Sequence, residues 1–294
     1  MLPKKLRIFS AVDICALYGR ERVPRGTAVI MIEQTKNASR IVVKVGSSTL
    51  TYGTGLIHLR RFERLVKVLS DLRNEGKEIV LVSSGAVSAG AAVLGLGHHP
   101  ATTEEKQATA AVGQSELMRM YSEEFSKFGH TVAQILMTKD VIDTPVRRSN
   151  AESTFKTLLS MHCIPIVNEN DSVSFEELNF GGNDTLSAYV ALICEADLIV
   201  NMSDIDGFYN ADPRTDPQAE RIPALDRVDE SVYAMAGGAG TRRGTGGMVA
   251  KLRAAQIAEQ AHIPMMIVNG VNPDVLYDIV EGKTVGTIIY NREA

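Results

Sequence analysis

Lys44 stands inside the apolar run Ile41-Val42-Val43-Lys44-Val45 and is followed at once by Gly46-Ser47-Ser48. A lysine among β-branched residues is costly unless an anion meets it. The glycine and the two serines can turn backbone N–H groups and hydroxyls toward that same anion. The chemistry indicated is phosphate handling at a strand end. The competing reading is a lysine on a half-exposed edge strand, where lysines are common.

Four further segments could do chemistry. Ser83-Ser84-Gly85-Ala86-Val87-Ser88-Ala89-Gly90 follows the apolar run ending at Val82. Its small residues let backbone approach a ligand and aim a helix N-terminus at an anion, or simply pack a tight connection. Asn168-Glu169-Asn170-Asp171-Ser172 follows Ile164–Val167. It suits the amino group or carboxylates of a small polar ligand, or forms a solvated loop. Gly181-Gly182-Asn183-Asp184-Thr185 leads into a helical stretch. There Asn183 or Asp184 is a helix cap, or Asp184 is a fixed negative charge able to hold a lysine. Gly244-Thr245-Gly246-Gly247-Met248-Val249-Ala250-Lys251 runs from glycines into a helix with a lysine near its start. That makes a phosphate cradle or, beside Thr241-Arg242-Arg243, a mobile surface loop.

Other sites are excluded. The glycine loop is not a Walker A sequence, and no G-x-G-x-x-G follows the first strand. Ser203-Asp204-Ile205-Asp206-Gly207-Phe208-Tyr209 has neither the carboxylate spacing nor the terminal glutamate of a calcium loop. The six histidines are scattered, and a surface role is expected for all of them.

The elements that must position these segments repeat as strand, loop, helix from residue 41. Strands are predicted at Ile41–Val45, Glu78–Val82, Thr131–Met137, Ile164–Val167, Asp197–Met202, Met265–Val268 and Thr287–Tyr290. Continuous apolar runs of this kind belong to strands buried on both faces of a mostly parallel sheet. Helical stripes are read at Leu59, Phe62, Val66 and Leu69 with Gly76 as a stop; at Met118, Tyr121, Phe125 and Phe128; and at Thr154, Leu158 and Leu159. The alternation predicts an α/β sandwich. The stretches Asn210–Pro217 and Gly237–Gly247 read as surface loops.

The chain of 294 residues is 45% hydrophobic and carries a net charge of −4. Residues 1–38 hold seven basic and three acidic residues, so the other 256 carry −8. A basic extension, or a mis-assigned start with Met31 as the true one, therefore precedes a single acidic domain expected over residues 39–294. The acidic balance and an aromatic content of 5% argue against nucleic acid as a partner. Cys15, Cys163 and Cys194 form no C-x-x-C pair, which fits a reducing cytoplasm, and the last two are expected to be buried thiols. No apolar run is long enough to span a bilayer.

Taken in order, I-V-V-K-V-G-S-S, V-S-S-G-A-V, V-N-E-N-D, G-G-N-D-x-L-S-A, S-D-I-D-G-F-Y and G-T-G-G-M-x-x-K resemble the amino-acid kinase family from about Arg40 to Tyr290. The V-N-E-N-D element points to the branch acting on the γ-carboxylate of L-glutamate. The resemblance implies a three-layer αβα sandwich and transfer of the γ-phosphoryl group of ATP to glutamate, opening proline biosynthesis. The rivals are kinases of the same family acting on N-acetylglutamate or aspartate, and a non-catalytic sensor of ATP or an amino acid. It implies that Lys44 and Lys251 contact phosphates, that Asp184 organises the two lysines, and that Ser84, Asp171 and Asn183 bind glutamate. Ser203 and Asp204, with Thr245, Gly246, Gly247, Met248, Val249, Ala250 and Lys251, would bind the nucleotide. It further implies Mg²⁺ held mainly by the ATP phosphates with no dedicated metal site, a cytoplasmic homo-oligomer, and coupling to glutamate-5-semialdehyde dehydrogenase. The family often has aspartate where this chain has Gly182 and threonine where it has Ala250, which bears on nucleotide affinity. The chain ends about where a small RNA-binding-like PUA domain begins in many bacterial relatives, and is expected to lack it. A glutamate γ-carboxylate is ionised at neutral pH, so such a reaction needs charge neutralisation and positioning rather than a general base.

Overall fold

The computed structural model describes residues 35–52, 54–98, 100–173, 180–236 and 247–290. The extension up to residue 34, the Thr241-Arg242-Arg243 segment, and Thr245 and Gly246 lie outside the described residues.

The predicted strands form, as β1 (Arg40–Val45), β2 (Glu78–Ser83), β3 (Val132–Met137), β4 (Ile164–Glu169), β5 (Leu198–Ser203), β9 (Met265–Asn269) and β10 (Thr287–Ile289). Three two-residue strands, β6 (Phe208–Tyr209), β7 (Arg221–Ile222) and β8 (Ala224–Leu225), were not legible in the sequence, being too short to show a period. The main sheet runs β3-β4-β2-β1-β5-β9-β10-β8. It is parallel from β3 to β9, and only the β9–β10 pair is antiparallel.

Helices cover both faces. One face carries α2 (Leu59–Asn74), α4 (Thr103–Ser126) and α10 (Val275–Val280); the other carries α6 (Pro145–Ser160), α7 (Asn183–Ile193), α8 (Glu230–Met235) and α9 (Met248–Glu259). Shorter helices α1 (Ser47–Leu50), α3 (Ala86–Val93) and α5 (Asp140–Asp143) occupy connections. Alternation along the strands produces two cores. Ile41, Val43 and Val45 pack on the first set of helices, and Val42 on the second. This is the three-layer αβα sandwich.

Some stripe residues are corrected. Leu59 and Phe128 are exposed, Leu59 because it opens its helix and Phe128 because α4 has already ended at Ser126. In α6 the buried anchors are Phe155 and Leu159, while Thr154 faces solvent. Cys194 is buried, and burial pushes its thiol up to about 12, but Cys163 is only half-buried. His58 is no bare surface residue: its Nδ1 accepts the Arg61 N–H at the start of α2, 3.4 Å away. The Nε2 of His130 is buried.

Helices α3 and α4 cross in unusually close contact at Gly90 and Gly113. A Cβ at Gly90 would overlap the Thr109 carbonyl oxygen, and one at Gly113 the Ala86 carbonyl oxygen. Both obstacles are backbone, so neither can swing aside. Gly113→Ala is expected to lose about 1–3 kcal/mol in urea unfolding. Gly97→Ala, which meets nothing within 4 Å, should change little by the same measurement.

Candidate active site

The direction of Lys44 follows from the pleat. It shares the face of Val42, so it points toward α7 and α9. Its strand is no edge: β1 lies between β2 and β5, with Lys44 opposite Val82 and Asn201. Only 7% of Lys44 is exposed, so the edge-strand reading fails.

The anion that meets Lys44 within the protein is Asp184. The Lys44 Nζ lies 2.6 Å from Asp184 Oδ1, and the Lys251 Nζ lies 3.0 Å from Asp184 Oδ2. The side-chain amide of Asn201 also donates to Oδ1, at 2.8 Å. Asp184 and Lys251 are as buried as Lys44. Two ammonium groups and one carboxylate leave the cluster with a surplus positive charge. Burial pulls the Lys44 amine below its ordinary value, against the pull of Asp184. For Asp184 burial acts upward, but Lys44 and Lys251 outweigh it and hold the carboxyl below the usual range.

Local sequence explains the placement. Gly182 caps α7, so neither Asn183 nor Asp184 serves as the cap. Asp184 instead sits in the first turn, where the helix dipole favours a carboxylate. Gly182 has φ of 107°, a conformation that favours glycine. Lys251 lies one turn into α9, whose cap is Gly247. Met248, Val249 and Ala250 form the turn before it, with Ala250 buried. A Cβ on Gly46 would come 3.4 Å from the Lys44 Nζ, so the backbone passes close to the ammonium.

A cleft of about 360 Å³ lies beside this cluster, with Ser47, Ser84, Asn168, Glu169, Asp171 and Asn183 on its walls. A chain of side-chain amides sets its shape. Asn183 Nδ2 donates to Ser84 Oγ at 2.7 Å and to Asn168 Oδ1 at 2.9 Å, and Asn168 Nδ2 donates to Gln114 Oε1 at 3.0 Å. Burial, and then the neighbouring Glu169, pushes the Asp171 carboxyl up to about 6. Ser203 and Asp204 close β5, beside the strand of Lys44, and Ser203 Oγ donates to Asp204 Oδ1 at 3.0 Å.

The structure thus brings Lys44, Asp184 and Lys251 into one cluster, and Ser84, Asp171 and Asn183 into one cleft. Asn168 and Glu169 belong to a segment singled out in the sequence, though neither was assigned a role, and sequence reasoning missed Gln114 and Asn201. Asn201 did carry a signal, since it interrupts the run Leu198-Ile199-Val200-Asn201-Met202 as Lys44 interrupts its own. Gln114 carried none, because a glutamine on a helix is ordinary.

A model of the Amino acid kinase family matches residues 39–269. The Glutamate 5-kinase of Listeria welshimeri is 49% identical over 267 residues, which span 90% of this chain and 97% of that protein. The Glutamate 5-kinase of Clostridium tetani is 51% identical over 255 residues, 87% of this chain and 96% of its own. Among solved structures, the UMP kinase of Bacillus anthracis superposes with a TM-score of 0.59 at 19% identity, over 87% of this chain and 97% of its own. The isopentenyl phosphate kinase of T. acidophilum gives 0.58 at 16% identity, over 85% and 99%. These two likenesses show the fold, and the family model with the close relatives shows the lineage: the chain belongs to the amino acid kinase family.

Proposed function

We propose that the chain transfers the γ-phosphoryl group of ATP to the γ-carboxylate of L-glutamate, forming γ-glutamyl 5-phosphate for proline biosynthesis. The observation that carries this reading is the buried Lys44–Asp184–Lys251 cluster, positive by one charge, next in sequence to Asn183 on the wall of a cleft lined with acids and amides. A surplus buried cation is unfavourable alone and favourable once an anion arrives. The transferred phosphoryl group is such an anion.

In this mechanism a γ-carboxylate oxygen attacks the γ-phosphorus, a new O–P bond forms, and the bond to the ADP oxygen breaks. No proton need be moved, because the nucleophile is already ionised. Lys44 and Lys251 offset the repulsion between two anions and the charge spread over the equatorial oxygens. Asp184 holds both ammonium groups at fixed positions, so little reorganisation accompanies the transfer. Ser203, Asp204 and the segment from Thr245 to Lys251 receive the nucleotide. Ser84 and Asn183 orient the acceptor, and Asp171 with Glu169 receives its ammonium group. This last pairing favours free glutamate over N-acetylglutamate, which has no cation to offer two acids.

Among the described residues no three His, Cys, Asp or Glu side chains converge to hold a metal. The proposal has Mg²⁺ enter on the ATP phosphates, where it would supply further charge neutralisation. The product is an acyl phosphate and prone to hydrolysis, a chemical reason for coupling to glutamate-5-semialdehyde dehydrogenase in the cytoplasm. A homo-oligomer belongs to the same proposal. Among the described residues no helix is long and apolar enough to cross a membrane.

The direct test is ATP-dependent formation of γ-glutamyl hydroxamate from glutamate and hydroxylamine, run in parallel with N-acetylglutamate and aspartate. Hydroxamate from glutamate alone is expected. Preference for another acceptor, or ATP binding without turnover, overturns the reading. Lys44→Ala should lower kcat by about a hundredfold or more while far-UV circular dichroism stays native. A near-normal kcat in that folded variant would remove Lys44 from the chemistry.

Asp171 gives a pH prediction. It binds an ammonium group only as a carboxylate, and its free-enzyme value is raised to about 6. Glutamate capture is therefore complete above that pH and fails as pH falls through it. The kcat/KM profile should show an acid limb near 6, dropping about tenfold per unit below. Asp171→Asn should raise the glutamate KM and abolish the limb.

A further inference from the structure

We propose that Lys106 is the specificity-determining cation of the cleft, receiving the α-carboxylate of the acceptor amino acid. The inference rests on the glutamate kinase reading and assigns the part of the substrate which that reading leaves without a partner. Glutamate brings two carboxylates and one ammonium group. The γ-carboxylate must lie toward Lys44 to meet the phosphoryl group, and the ammonium group is drawn to Glu169 and Asp171. Neither pairing serves the α-carboxylate, and both acids repel it.

Among the described residues lining the cleft, Lys106 is the one lysine or arginine. Lys44 and Lys251 are engaged by Asp184 and belong to the transfer step. Lys106 makes no side-chain hydrogen bond or ion pair among the described residues, whereas Lys127 and Lys283 are paired with nearby acids. Its ammonium group is exposed at the cleft and has no protein partner among the described residues. It suits a ligand that carries the missing anion.

Its position is fixed by more than its own side chain. Thr102 and Glu105 form a capping box that sets the first turn of α4, and Glu105 is turned back onto the Thr102 and Ala101 N–H groups. Lys106 follows at once, and the N-terminal dipole of this 24-residue helix adds positive potential there. Lys106, Ala110 and Gln114 are spaced by four, so they share one helical face. Gln114 is bonded to Asn168 at the end of β4, and Gly113 abuts α3. The face that carries Lys106 is thereby anchored against the cleft at two points.

The test compares L-glutamate with L-glutamic acid α-amide, which keeps the γ-carboxylate and the ammonium group but lacks the α-carboxylate. With wild-type full-length chain the α-amide should show the higher KM. Lys106→Met keeps the aliphatic stem on an exposed helical position and removes the charge. It should raise the glutamate KM about ten- to a hundredfold, as for loss of a hydrogen bond to a charged group, with kcat changed much less. The same substitution should leave the α-amide KM where it was, and Lys106→Arg should restore most of the glutamate KM. Equal effects on both substrates, or an unchanged glutamate KM, overturn the assignment of Lys106 while leaving glutamate phosphorylation intact. Failure of the wild-type chain to phosphorylate glutamate at all overturns the underlying reading instead.

Discussion

One carboxylate shared between two buried ammonium groups is the constraint on which the rest depends. Asp184 presents one oxygen to Lys44 and the other to Lys251, and Asn201 supplies a neutral donor to the first. As a stabilising device this arrangement is poor. Replacing a buried ion pair by apolar residues is often neutral or better, whereas removing one partner costs about 3–5 kcal/mol. Here the pairing is unequal even when complete. A set of three that stays positive makes sense when its fourth member is a ligand.

The sheet determines that such a set can be assembled. From β1 the chain goes to β2, out to the edge strand β3 and back to β4 on one side, then crosses to β5 and β9 on the other. The order of strands reverses at β1 and β5, and in parallel sheets ligands gather beyond strand ends at such a reversal. Lys44 and Asn201 are paired across this junction. Helices α7 and α9 pack together over the same face, bringing Asp184 and Lys251 in the first turns of both to one point. The topology thus converts four residues spread over more than two hundred positions into a single electrostatic unit.

What the sequence revealed and what it withheld follow the same physics. Lys44 was legible because a charge in an apolar run violates a local rule, and Asn201 broke the same rule less conspicuously. The long parallel strands were legible because burial on both faces makes them continuously apolar. Phe155 was missed in favour of Thr154 because α6 has so polar a composition that its buried side is one residue wide in each turn. The bonding of Asn168 to Gln114 was illegible for a different reason. Each residue is unremarkable on a loop or a helix, and only the crossing of α4 over the end of β4 gives it a partner.

The two glycines that let α3 and α4 touch connect these levels. Their lack of side chains is a packing feature, yet it sets how close α4 comes to the ends of β2 and β4. Gln114 reaches Asn168, Asn168 reaches Asn183, and Asn183 reaches Ser84, so a shift of α4 would pass through the whole cleft. The cleft carries Glu169, Asp171 and Lys106, and Asn183 on its wall directly precedes Asp184, which holds the lysine pair. An amino dicarboxylate has the complementary sequence of charges, and a simple carboxylate or an N-acylated one does not. In the proposed reaction, selectivity for the acceptor depends on the spacing of α4 from the sheet, and phosphoryl transfer on β1, α7 and α9. Acceptor and transfer sites thus rest on different elements of one sandwich, as expected where function lies in sites carried by a fold rather than in the fold itself.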